Sequence, residues 1–129
     1  MLTIVNPSKA ALHRAAFSRQ ELTAIAASIL GTKYSLSLVI ASPAQIQKLN
    51  LIYRDKDEPT DILSFPLSET EGEIYICTSE SRREAKKFDR SYANFIKFLF
   101  IHGCVHLKGH DHGAIMESIE AEALKEFNV

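Results

Sequence analysis

A chain of 129 residues, 46% of them hydrophobic, has the length of one domain around one core, because either half alone would bury too little surface to be stable. A formal net charge of −1 excludes a protein that coats nucleic acid through bulk charge, and no apolar run approaches the roughly 20 residues that cross a bilayer. Residues 1–7 lack the charged-then-apolar pattern of a secretion signal, so the expected location is the cytoplasm, where Cys77 and Cys104 are expected to be buried thiols.

Residues 2–5 read as a short strand stopped by Asn6-Pro7, and His13, isolated beyond it, is expected on the surface. Residues 18–30 read as a helix: Ser18 and Glu21 have the form of a capping box, Gly31 stands where a C-terminal cap belongs, and Leu22, Ile25, Ala26 and Ile29 make one apolar stripe. Residues 34–40 alternate and are rich in β-formers, which predicts a second strand. Ser42-Pro43 with Gln45 then opens a helix that runs to about Tyr53. The segment from Arg54 to Thr60 has no apolar residue and is expected to be an exposed, unusually charged loop.

Residues 61–67 and 73–78 read as two further strands around a polar turn. Ser79 is placed to cap a short helix carrying Arg82, Arg83, Lys86 and Lys87, with Arg90 just beyond it. This basic group is either a local nucleic-acid patch or a solvated helix face. Asp89 is placed to cap a long helix in which Phe95, Phe98, Leu99, Ile101, Val105 and Leu107 are too apolar for a surface position, so this helix should be central. Gly109 ends it, and a last amphipathic helix spans roughly residues 114–127. The order of elements predicts an α/β or α+β fold, a small mixed four-stranded sheet covered by helices, in a single domain over residues 1–129.

Four of the five histidines lie between His102 and His112. An H-x-x-x-H pair arises by chance at roughly 0.2 per chain of this composition, and a third histidine at the fixed spacing lowers that to about 0.01. In a helix, residues four apart are separated by about 40° around the axis and about 6 Å along it, so His102 and His106 point side by side and can share one ion. On a continuing helix His112 would lie on the wrong side, but a left-handed turn at Gly109 would swing it back. The central helix is therefore expected to carry metal ligands, with His102, His106 and His112 as the set.

Three nitrogen ligands leave one position of a tetrahedral Zn²⁺ open for water, as in hydrolytic sites, although imidazole also suits Ni²⁺, Cu²⁺ and Fe²⁺. Cys104, the nearest thiol, lies about 200° around the helix from His102 and should point away. His110 is a minor alternative ligand, and Asp111 is expected to accept a hydrogen bond from one ligand imidazole. Zinc peptidases with H-E-x-x-H place a glutamate base after the first histidine, where this chain has Gly103, so a peptidase or amidase is disfavoured. An arginine near the metal would suit a phosphodiester, whose transition state accumulates charge on oxygen.

The segment His102-Gly103-Cys104-Val105-His106-Leu107-Lys108-Gly109-His110-Asp111-His112 resembles the H-G-x-x-H-L-x-G-[YH]-D-H signature of the YbeY family, bacterial endoribonucleases and rRNA maturation factors. Leu49-Asn50, Tyr53-Arg54, Asp57 and the run from Pro59 to Pro66 resemble that family's other signature, and Gly72-Glu73-Ile74, Met116, Glu117 and Glu120 agree further. The resemblance implies that His102, His106 and His112 hold zinc and that Arg54 lines the active cleft as its catalytic basic residue. It also implies metal-dependent cleavage of single-stranded RNA in 16S rRNA maturation and small-subunit quality control, with rRNA, the small ribosomal subunit and its proteins as partners and no membrane. The departures are His110, where the family frequently has tyrosine, and Cys104-Val105, which replaces a more usual aliphatic pair. A ribosome-assembly factor with a purely structural metal is the rival function.

Overall fold

The computed structural model describes residues 1–5, 18–109 and 113–129. Within them, four strands, β1 (Leu2–Val5), β2 (Ser35–Ala41), β3 (Ile62–Ser68) and β4 (Glu71–Cys77), form one sheet in the order β1-β2-β4-β3. β1 runs parallel to β2 and β2 to β4, while β3 returns antiparallel to β4, so the sheet is mixed and four-stranded as the element order predicted. The described helices are α1 (Arg19–Leu30), α2 (Pro43–Arg54), α3 (Thr78–Lys87), α4 (Tyr92–Leu107) and α5 (Ala114–Glu126).

Alternation along the strands sorts the side chains onto two faces. Leu36, Leu38 and Ile40 of β2 and Ile74 and Ile76 of β4 point to one core, shared with the apolar stripe of α1, Phe100, Ile101 and Val105 of α4 and Met116 and Ala123 of α5. Each such fully buried side chain contributes roughly 1.5–3 kcal/mol. The intervening Ala41, Leu63 and Cys77 point to the other face, where Ile46 of α2 closes a smaller cluster. Helices α1, α4 and α5 thus cover one face and α2 the other, which leaves β3 as an edge strand with α2 and α4 on either side of it. Pro66 fits there because an edge strand can spare one backbone N–H.

Local chemistry sets most of the helix ends. Ser18 accepts from the Glu21 N–H, and Ser42 and Gln45 form a reciprocal capping box with Pro43 in the first turn. Two expected caps are corrected. Helix α3 begins at Thr78 behind Cys77 with no side-chain cap, and Ser79 lies inside it beside the Cys77 Sγ, because β4 and α3 follow each other without a turn. The N-cap of α4 is Ser91, whose Oγ accepts from the Asn94 N–H. Asp89 instead ends α3 in the left-handed region, φ 52°, where the Arg90 N–H reaches Ala85 O and its own N–H reaches Lys86 O, a Schellman closure that short acidic side chains tolerate. The β3–β4 turn is also tighter than expected: Ser68 pairs with Glu71 across an irregularity after Pro66, which extends β4 back to Glu71.

Helix α4 is central, as its composition predicted, with Phe95, Leu99, Ile101, Val105 and Leu107 buried; Phe98 is only half-buried. At Gly103 the helix lies against side chains of β3 and β4. A Cβ there would stand 2.9 Å from Ile74 Cδ1 and 3.0 Å from Ser64 Oγ, so a side chain fits only if the ends of these neighbours shift. No described helix is long and apolar enough to cross a membrane.

Candidate active site

A cleft of about 600 Å³ follows the free edge of β3 and is lined by Tyr53, Arg54, residues 62–66, His102, His106 and Leu107. Three elements build it: the last turn of α2, the edge strand, and the C-terminal half of α4.

On α4 the i, i+4 spacing does what helical geometry requires. His102 Nε2 and His106 Nε2 stand 3.0 Å apart, with ring centroids 4.6 Å apart and planes at 78°. The other nitrogen of His102, Nδ1, lies 3.1 Å and 3.3 Å from the two carboxylate oxygens of Glu120 on α5. A carboxylate only accepts, so Nδ1 is the nitrogen that carries a hydrogen towards Glu120, which leaves Nε2, the atom that faces His106, as the one able to serve a metal ion. Phe98, one turn before His102, stacks on its ring at 6.4 Å and 20°. The ring of His102 is therefore held both in its plane and across it.

Glu120 was not assigned a role by sequence reasoning, which expected Asp111 to orient a ligand. Its place in the tail signature was the available signal. Asp111, His110 and His112 lie outside the described residues, as does His13. Gly109 closes α4 in the left-handed region, φ 92°, with its N–H on His106 O, so the helix ends where the glycine was expected to end it. Among the described residues no three His, Cys, Asp or Glu side chains are grouped closely enough to hold an ion. Cys104 is buried in the core, facing away from His102 as expected, and burial pushes its thiol pKa strongly upward.

Arg54 is the last residue of α2 rather than the first of the loop, because Asp55 takes the left-handed conformation, φ 56°, and closes the helix after it. The charged loop that follows is tied back onto α2: the buried Asn50 donates to Glu58 O at 2.9 Å and Gln47 donates to Asp57 Oδ1 at 3.0 Å. These bonds hold the loop against the helix that carries Arg54. Among the described residues no ion pair joins Arg54 to Asp55, Asp57 or Glu58.

The basic group of α3 and Arg90 does not line this cleft and is largely committed locally. Arg83 pairs with Glu80 at 3.3 Å and Lys87 with Glu84 at 3.0 Å, while the Arg82 and Arg90 guanidinium groups sit over the rings of Tyr92 and Phe98. Burial, and then Glu84 nearby, raise the pKa of the Asp61 carboxyl, but Asp61 does not line the cleft.

A cleft of this size with an arginine at one wall and two convergent imidazoles at the other suits an anionic substrate and a cation between ligand nitrogens. Comparison with known proteins agrees. The chain matches the family model described as Endoribonuclease YbeY over residues 6–128. Endoribonuclease YbeY of Finegoldia magna is 39% identical over 108 residues, covering 74% of this chain and 71% of that one. The protein of the same name from a Sulfurovum species is 39% identical over 111 residues, covering 76% of each. A Thermotoga maritima protein solved in solution superposes with a TM-score of 0.67 over 98% of this chain and 89% of its own, at 27% identity. With a family match across nearly the whole sequence, a shared fold and the cleft just described, the chain belongs to the endoribonuclease YbeY family, and so is an enzyme that hydrolyses RNA phosphodiester bonds.

Proposed function

We propose that one domain over residues 1–129 cleaves single-stranded RNA of the small ribosomal subunit in the cytoplasm, with a transition-metal ion held by His102, His106 and His112 and the phosphate bound by Arg54. The observation that carries this reading is the 3.0 Å approach of the two Nε2 atoms in the cleft that Arg54 also lines. Two nitrogens bonded to one Zn²⁺ at about 2.0–2.1 Å and near-tetrahedral angles stand about 3.3 Å apart, so this pair is within a few tenths of an ångström of a ligand bite. Zn²⁺ is the first choice and Ni²⁺ the next, since neutral imidazole serves both.

A bound ion of this kind supplies Lewis acidity and lowers the pKa of water towards neutrality. The protein supplies the rest. Arg54 presents a planar fork of donors that can grip two phosphate oxygens and offset the charge that grows on them during cleavage. At Gly103 the chain lacks the glutamate that H-E-x-x-H peptidases carry, and a side chain there would have to push aside the ends of Ile74 and Ser64, which supports phosphodiester over peptide chemistry. Glu120 fixes the tautomer and plane of His102. Glu120→Ala should weaken metal affinity about 10–100-fold, measured against a competing chelator, and Glu120→Gln, which can still accept from Nδ1, should lose less. Unchanged affinity in both would make the bond incidental.

Metal removal tests the reading as a whole. The stripped protein should keep a cooperative melting transition, lowered only by the lost binding energy, while cleavage of a single-stranded RNA falls at least about a hundredfold and returns when Zn²⁺ is restored. Undiminished cleavage without metal would overturn the proposal, and outright unfolding would favour a structural ion.

A further inference from the structure

Phosphate binding and metal ligation leave one prominent feature of the cleft unused. Tyr53 immediately precedes Arg54, lines the same cleft and is 64% exposed. A tyrosine that gains so little from burial is nevertheless held in place. Its ring centroid lies 4.9 Å from that of Phe65 at a tilt of 54°, and Phe65 is braced in turn by Tyr75 at 5.6 Å and 72°. One side of the Tyr53 ring is thus supported by the second face of the sheet, and the last turn of α2 carries the ring at the cleft mouth.

We propose that Tyr53 is a stacking platform for an unpaired base of the RNA, next to the phosphate held by Arg54, and that it favours single-stranded over paired substrate. The inference rests on the reading of this cleft as the RNA site. A strand whose phosphate reaches Arg54 brings the neighbouring nucleotide to Tyr53, because the two side chains line the same cleft although they diverge by about 100° around the helix. Every base offers a flat face, so an aromatic platform binds with little regard to sequence. In a duplex, both faces of each base are already covered by its neighbours, so the ring can be used only where the strand is unstacked. Phe65, on the same face as Tyr53, extends the apolar wall on which such a base would rest and offers nothing to a second phosphate.

The test is a cycle between protein and substrate, with the metal-loaded full chain and a short single-stranded RNA, intact or lacking one base at successive positions. Tyr53→Ala should raise KM for the intact RNA about tenfold or more with kcat little changed, and Tyr53→Phe should stay within about twofold of the parent. Tyr53→Leu, which keeps an apolar contact for Phe65 but no flat ring, should behave as Tyr53→Ala. At one abasic position the Ala and Leu variants should lose nothing further, because the partner of the ring is already gone. An equal loss on intact and all abasic RNAs, or no loss at all, overturns the platform. Arg54→Glu in the same assay separates the two layers. If it weakens cleavage while Tyr53→Ala does not, only the stacking role falls; if neither changes the reaction, the cleft is not the RNA site and both readings fall.

Discussion

His106→Ala is expected to leave a folded protein that holds no metal and cleaves no RNA above background. Its ring is half-buried in the cleft, not packed in the core, so truncation opens an existing space rather than a new cavity. The variant removes one of the two nitrogens that approach within 3.0 Å and spares the bond between His102 and Glu120, which makes it cleaner than a change at position 102. Loss of an outer hydrogen-bond partner costs about 10–100-fold in metal affinity, and loss of a ligand from a set of three should cost more. Elemental analysis of the purified variant should find well under one equivalent of metal, and its melting temperature should match that of the metal-stripped parent. One full equivalent of Zn²⁺ in the variant would show the ligand set to be wrong.

The second large effect is expected at Arg54, and it should separate catalysis from metal occupancy. Arg54→Glu should keep full metal content while RNA cleavage falls on the order of a hundredfold or more, the scale of losing a group that stabilises transition-state charge. Arg54→Lys should recover part of the rate, since a single ammonium restores charge without the two-pronged grip. The fold adds a correction to the stability side of this expectation. An exposed charge change usually costs about 0.5 kcal/mol, but Arg54 sits in the last turn of α2, where a cation is favoured and an anion opposes the helix dipole by about 0.3–1 kcal/mol. A small fall in melting temperature for Glu and none for Lys is therefore expected. If Arg54 served only to balance nearby carboxylates, neither variant would lose activity; the absence of such an ion pair among the described residues weighs against that role. Full activity in Arg54→Glu would remove the phosphate-binding role and leave the histidine site standing.

What the sequence by itself determined is what short-range geometry controls. The i, i+4 spacing brings His102 and His106 together on any helix, the glycine at position 109 stops that helix, and the Ser42-Pro43-Gln45 box starts another, because each effect is complete within one or two turns. Alternation in β2 and β4 and the apolar stripe of α1 likewise announced which side chains would be buried. One local expectation failed: Asp89 has the chemistry of an N-cap, but the Schellman closure of α3 takes it and leaves the cap of α4 to Ser91. Tertiary structure alone decided the contacts between distant segments. Glu120 meets His102 across 18 residues only because α5 packs against α4, and Arg54 shares a cleft with the histidines because α2 and α4 lie on opposite faces of a sheet whose edge strand is β3. Gly103 could be read in the sequence as a missing base, but its contact with the side chains of Ile74 and Ser64 is tertiary, and no local pattern encodes it.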